Sequence, residues 1–396
     1  MFKSSALFEV HVRRDDRWRI EASFTDEKTA LSCARAQLAE SGVQEVKVLK
    51  TRNIVGLGLE TEVFHRKATE NKERPLTISG SAEGAPYCMT LNDLYGFESR
   101  LIVGRLLRQF LDKFRITPTE LLYNWTFARK LDEQGSLIGS AIHAVARHHA
   151  DVHGIAAKER VNDLRRLVDQ ALIKARDFAA ERKRLPAFDE KDLIGTSQRV
   201  EQAVGSTNHD GVFLGMLALH LGNTPSVGGK LELLADMMGR EGDPQISHLL
   251  EGVIADGLGS AEVVKDLLGP QPNLAGGVMA LADTVLGRPQ GEKDTPVSPL
   301  LTRIGRFVAE GRAPCCRTVL VDRIRSAVNS DQPLDRRDAK SEALLVEAVA
   351  TRLKDGNGTL LGGAETEKAL ARRLLRHRQA ILRQQGMHDI ADRLSG

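Results

Sequence analysis

Hydrophobic residues recur at every second position in two neighbouring runs near the start of the chain. FEVHVRR places Phe8, Val10 and Val12 on one side, and RWRIEASF does the same with Trp18, Ile20, Ala22 and Phe24. Successive side chains of a strand point to opposite faces, so each run predicts a strand with one buried face. The polar Asp15-Asp16 pair between them marks a hairpin turn. The period then becomes helical. From about Asp26 to Glu40, Ala30, Ala34 and Leu38 share a face, and Gly42 stands where a C-terminal glycine cap belongs. VQEVKVLK and LGLETEVF return to the strand pattern. Residues 1–65 are therefore expected to form a small α/β domain of ββαββ order, a scaffold that serves many functions.

Residues 66–86, RKATENKERPLTISGSAEGAP, are charged and then rich in Gly, Ser and Pro, the composition of a flexible linker. Beyond them the helical period persists to the end of the chain, broken by stretches such as LHLGNTPSVGG, MMGREGDP and VLGRPQGEKDTP. The expected fold class is α+β and predominantly α-helical. After the linker come a helical bundle over 87–204, a short-helix region over 205–295 and a C-terminal helical region over 296–396. The phrases LADMMG, IADGLG and LADTVLG recur near residues 234, 254 and 281, at intervals too uneven for a named repeat.

Composition narrows the field mainly by exclusion. A chain of 396 residues can hold two or three cores, and 41% apolar with 28% charged residues is ordinary for a soluble globular protein. A net charge of +3 demands neither nucleic acid nor an acidic membrane, and 4% aromatic residues leave few rings for base stacking. No window approaches the roughly 18 apolar residues of a membrane span, so no membrane insertion is expected. The first residues also lack the apolar run of a signal peptide. The cysteines, Cys33, Cys88 and the adjacent Cys315-Cys316, form neither a disulfide framework nor a zinc-spaced set. A reducing cytoplasm is the expected location. Charge is nonetheless segregated: Gly205–Thr295 holds 5 Lys/Arg against 12 Asp/Glu, and Thr366–Arg383 holds 6 against 1. Separate domains, or two faces that meet, would produce this asymmetry.

Several stretches imitate functional motifs. RITPTELLYNWTFARKLDEQG, Arg115–Gly135, reads as the second half of a helix–turn–helix. Thr117-Pro118-Thr119-Glu120 is a capping box with proline at the first helical position. A DNA-reading helix presents its first turn to base edges and phosphates, where Glu120 would be repelled. Leu121, Leu122, Trp125 and Ala128 offer an apolar face instead, so a structural helix pair is expected. In AIHAVARHHADVHG, Ile138, Ile142, Val145, His149 and Val152 form a stripe, with His153 one turn beyond His149 and His143 opposite. Only His149 and His153 are placed to share a metal ion, and Ala150 stands where the zinc-protease pattern needs its general-base glutamate. Structural histidines are the favoured reading. GNTPSVGGKLELL departs from a phosphate loop at Thr224 and Leu231. Arg312 and Arg317 near Cys315-Cys316 would lower a thiol pKa, but the pair follows Pro314 at a helix start, where buried small residues are common.

The last long helix is the strongest interaction candidate. Leu370, Leu374, His377 and Ile381 line one side, and Arg372, Arg376, Gln379 and Arg383 line the other. Arg372, Arg376 and Arg383 are the expected partner-binding residues. With no catalytic motif complete and no cofactor called for, the expected function is a cytoplasmic regulatory or adaptor protein acting through a protein partner. The alternatives are a nucleic-acid-associated regulator using the basic C-terminal helix, and a metal-dependent enzyme centred on His149 and His153.

Overall fold

A computed structural model describes residues 6–14, 17–38, 43–54, 57–67, 75–289, 295–336 and 341–394. The chain is predominantly α-helical with a small β region, and it divides into two units, Met1–Pro75 and Leu76–Gly396. In the first, β1 (Leu7–Arg14), β2 (Arg17–Phe24), α1 (Glu27–Leu38), β3 (Glu45–Ile54) and β4 (Leu57–Lys67) follow one another as the alternating pattern predicts. The strands form an antiparallel sheet of order β2-β1-β3-β4. Ala30 and Ala34 of α1 cover Phe8, Val10, Val12, Val46 and Val48. Asp26 is the N-cap of α1 and accepts from the Thr29 amide at 2.9 Å. The Asp15-Asp16 turn and Gly42 lie outside the described residues.

One expectation fails in β2. Phe24 and Ala22 pair with Phe8 and Val10, but a bulge at Val10/His11 then shifts the register, so that Ile20 pairs with His11 and Trp18 with Arg13. A one-residue shift moves later side chains to the other face. Trp18 and Ile20 are therefore exposed, at 37% and 57%, although the alternation places them with Phe24.

Of the stretch read as a linker, residues 68–74 lie outside the described residues, and Arg66 and Lys67 belong to β4. Its last part is docked on the second unit. Ser79 donates to the Leu106 carbonyl at 2.9 Å, Thr77 to Gln109 Oε1 at 3.1 Å, and Ala82 and Ala85 are buried. Backbone without regular structure finds its partners here in the neighbouring helices.

The second unit begins with α2 (Leu91–Tyr95), α3 (Phe97–Leu106), α4 (Arg108–Phe114), α5 (Pro118–Tyr123), α6 (Trp125–Asp132), α7 (Gly135–His153) and α8 (Ala157–Glu181). It continues with α9 (Leu193–Val204), α10 (Ser206–Leu221), α11 (Val227–Arg240), α12 (Pro244–Leu258), α13 (Ala261–Leu268) and α14 (Leu274–Leu286). The last helices are α15 (Pro299–Ala309), α16 (Pro314–Asn329), α17 (Glu342–Arg352), α18 (Gly363–Gln384) and α19 (His388–Arg393). Side-chain caps set many boundaries: Thr117, Asp192, Ser226, Asp243, Asn273 and Ser298 each accept a first-turn amide. The single helix expected after Thr117 is broken at Asn124, whose extended backbone ends α5 and whose side chain caps α6. The tight turn before Thr117 takes a left-handed residue without glycine, at Arg115 (φ 53°).

Helix α12 is the centre of the unit, with every residue from Leu250 to Leu258 buried. Charge segregation along the sequence becomes neutralisation in space. The recurring LADMMG, IADGLG and LADTVLG phrases bury their Leu-Ala or Ile-Ala pairs and pair each aspartate with an arginine of another helix. Asp256 meets Arg100 at 3.0 Å, Asp283 meets Arg352 at 2.6 Å, and Asp236 meets Arg303. Asp256 and Asp283 of the acidic segment are thus buried against Arg100 and Arg352 from outside it, while the Asp236 pair is partly exposed.

Candidate functional site

Helix α8 carries Lys174 and Phe178 one turn apart, and α10 sets Gly211 and Gly215, also one turn apart, opposite them. A Cβ on Gly211 would lie 3.6 Å from Lys174 Nζ, and one on Gly215 would come within 2.6 Å of the Phe178 ring. Glycine inside a helix costs about 1 kcal/mol relative to alanine. Here the missing side chains give the lysine and the phenylalanine room to lie across α10.

Helices α2 and α5 each end in a buried tyrosine at this place. The rings of Tyr95 and Tyr123 are 4.8 Å apart, and Lys174 Nζ stands 4.8 Å from the centre of the Tyr95 ring. With Leu91, Leu122, Asn208 and Val212 these residues surround a pocket of about 490 Å³, within the range of small-molecule sites. The Tyr95 hydroxyl is buried and has no hydrogen-bond partner among the described residues. Most buried hydroxyls are paired, so an unpaired one calls for an explanation. Burial pushes the Tyr95 and Tyr123 phenols well above their ordinary range, so both remain neutral donors. Burial also pushes the Lys174 ammonium down. Asp177 and Glu181 line the outer rim and are exposed, and Asp177 is 3.4 Å from Arg176.

One carboxylate holds both tyrosine-bearing helices. Asp256, fully buried, accepts from Arg100 Nε at 3.0 Å, from the Thr119 amide at 3.1 Å and from Thr119 Oγ1 at 2.5 Å. Arg100 in turn donates to the Tyr95 carbonyl at 2.9 Å. Tyr95 is therefore anchored through its own backbone, and Tyr123 through the first turn of α5.

The first turn of α5 cannot read DNA, because Thr117, Thr119 and Glu120 are all buried. The capping box forms as the sequence predicts, with Glu120 accepting from the Thr117 amide at 2.9 Å and Thr117 accepting from Glu120 N at 3.2 Å. The second Glu120 oxygen accepts from Lys230 Nζ at 2.6 Å, and Lys230 also donates to the Arg115 carbonyl at 2.7 Å. The lysine of the phosphate-loop imitation thus serves as a buried counter-ion.

His149 is fully buried, and both ring nitrogens are engaged: Nε2 lies 3.1 Å from the Ala85 carbonyl and Nδ1 accepts from Arg160 Nε at 3.0 Å. That arrangement fixes the neutral tautomer and leaves no lone pair for an ion. Burial holds its pKa down. His153 ends α7 beside Gly154 (φ 66°), its ring 5.9 Å from that of His149 and 5.0 Å from that of Tyr87. Metal sharing by this pair is accordingly replaced by a packed ring cluster over which Arg160 lies, 4.1 Å from Tyr87. Val152, assigned to the same stripe, is 61% exposed because α7 ends one residue later.

Cys315 and Cys316 open α16 and present their amides to the buried carboxylate of Glu251, at 3.1 and 3.2 Å. Burial, with Glu251 beside them, raises both thiols far above their ordinary range, the opposite of activation. Arg312 is turned away and donates to the Met238 and Glu241 carbonyls at 2.7 and 3.0 Å. Donor atoms of His248, Glu251 and Cys315 lie within 4.8 Å of one another, a grouping that no sequence spacing announced.

The arginine row of α18 is mostly engaged within the chain. Arg376 pairs with Asp331 and donates to the Asn329 carbonyl at 3.1 Å, and Arg383 pairs with Asp392 at 2.9 Å, while Arg372 is exposed. Sequence reasoning missed Arg373, which is buried, meets Glu342 at 2.6 Å and donates to the Val328 carbonyl at 2.8 Å. It also missed the tyrosine–lysine pocket, whose residues come from helices far apart in sequence. Comparison with protein-family models, curated proteins and solved structures gives no match.

Proposed function

We propose that the chain is a regulatory protein whose helical unit is a receptor for a small organic anion. The ammonium of Lys174, held over the Tyr95 ring beside a ligand-sized pocket that both residues line, carries this reading. The ammonium of Lys174, on a side chain that is exposed overall, favours an anion in hydrogen-bonding range. A single cation beside a mostly apolar wall suits a carboxylate, and Leu91, Leu122, Phe178 and Val212 accommodate its organic body. Such a ligand would tie α2, α5, α8 and α10 together, which gives occupancy a structural consequence. Calorimetric titration with phenylacetate tests the reading. The protein should bind it, Lys174→Gln should weaken binding at least about tenfold, and Tyr95→Phe, which removes a hydroxyl with no surface in the pocket, should leave it unchanged. Absence of binding, or equal affinity in both variants, would overturn it.

Docking of a protein partner is a second reading, favoured by apolar residues left exposed on the hairpin of α18 and α19. Ile381, Ile390 and Leu394 are 39%, 50% and 42% exposed, beside the exposed Arg378. That combination fits an acidic amphipathic helix. Ile381→Lys with Ile390→Lys should abolish binding of such a peptide in a fluorescence-anisotropy titration, and unchanged binding would remove the docking surface.

A further inference from the structure

A second cavity lies on the other side of Leu122. Its volume is about 150 Å³, and its walls are almost wholly aliphatic, with Ile102, Ile138, Val145 and Leu167 among them. Three helices contribute neighbouring residues to both spaces. Helix α2 gives Leu94 to the cavity and Tyr95 to the pocket, α8 gives Leu172 to the cavity and Lys174 to the pocket, and Leu122 of α5 lines both. Protein interiors leave few voids larger than a water molecule, so a space of this size beside a polar pocket is unusual.

We propose that the two spaces form one bipartite site for a medium-chain aliphatic monocarboxylate. The carboxylate sits with Lys174 beside the Tyr95 and Tyr123 side chains, and the tail passes Leu122 into the aliphatic chamber. This rests on the reading of the pocket as an anion receptor and adds the class of ligand. The chamber offers a ligand almost nothing polar. Ser99 Oγ donates to the Asp93 carbonyl at 2.5 Å, and Cys88 Sγ lies 3.1 Å from that same hydroxyl and 3.5 Å from the Pro86 carbonyl. Water gains little in such a space, whereas a dry cavity of about 150 Å³ is large enough for a benzene-sized apolar body of some six carbons. Leu122 lines both spaces and is half-buried near the end of a helix of only six residues, so the tail passes where its side chain swings aside. About six carbons in the chamber, one to three passing Leu122 and the carboxyl carbon give chains of roughly eight to ten carbons.

The test is a calorimetric series on the full chain with butanoate, hexanoate, octanoate, decanoate and dodecanoate, alongside phenylacetate. Affinity should rise about fourfold per added methylene up to octanoate or decanoate, then level off when the chamber is full. Ile138→Phe fills the chamber from α7 and should abolish the chain-length dependence without changing phenylacetate binding. Ala141→Leu fills the same space one turn along and should do the same, which guards against a folding defect in either variant. If phenylacetate binds but alkanoate affinity is independent of length, or both filled variants bind octanoate as before, the bipartite site is refuted while the receptor reading stands. If neither phenylacetate nor any alkanoate binds, both fall.

Discussion

Asp256 is where stability and the pocket are most tightly connected. Replacement by alanine leaves the guanidinium of Arg100, itself buried, without its counter-ion, and deprives the Thr119 amide and hydroxyl of their acceptor. Breaking one side of a buried ion pair costs about 3–5 kcal/mol, and an orphaned buried amide about 1–3. Because both losses follow from one carboxylate they overlap, and a total of about 4–6 kcal/mol is expected for Asp256→Ala, a large share of the ~5–15 kcal/mol that holds a typical domain together. Asp256→Asn keeps an acceptor for Thr119 and should lose about half as much. Combining Asp256→Ala with Arg100→Met removes the uncompensated charge, so the double variant should be about 2–3 kcal/mol more stable than the sum of the single changes implies. Urea unfolding followed by far-ultraviolet circular dichroism measures each value, with an unchanged m showing that the same surface is exposed. A loss below about 1 kcal/mol for Asp256→Ala, or strict additivity in the cycle, would refute the reasoning.

Adjacent arginines of α18 should behave differently. Arg373→Gln breaks a buried pair and should cost about 3–5 kcal/mol, while Arg376→Gln acts on a partly exposed pair and should cost under about 1 kcal/mol in the same assay. Lys230→Met strands the buried Glu120 carboxylate and should lower stability by about 3–5 kcal/mol, a loss that a surface phosphate-binding lysine would not show. The pKa of His149 is held below that of a free histidine, so on acidification the unfolded state takes up the proton first. Its contribution is complete above the ordinary histidine pKa of about 6.5 and is lost as pH falls below it. Stability of the wild type should therefore decline more steeply from neutral to mildly acidic pH than that of His149→Gln, as chemical denaturation at each pH would show.

What could be read from the sequence was local. The alternation of Phe8, Val10 and Val12 and the capping box at Thr117 each act within a few residues, and each appears where the pattern places it. Trp18 and Ile20 escaped because a bulge, which has no composition signal of its own, resets the faces of β2. Asn124 was read as part of a helix because its capping role depends on the chain turning there. The pocket was illegible for a different reason. Tyr95, Tyr123, Lys174 and Gly211 are separated by dozens of residues, and only the packing of α8 against α10 brings them together. One faint signal was present all the same: the aspartate of the IADGLG phrase, Asp256, is the buried carboxylate that holds both tyrosine-bearing helices.

The chain contains three tyrosines, so labelling them with ¹³C at the ring carbon that bears the hydroxyl gives three resonances. Two, from Tyr95 and Tyr123, report on the pocket, and the third, from Tyr87, lies against His149, His153 and Arg160. Titration with phenylacetate should shift the Tyr95 and Tyr123 signals along one saturating curve and leave Tyr87 in place. If Tyr95 and Tyr123 stay fixed at ligand excess, or Tyr87 alone responds, the pocket is not the anion receptor proposed for it.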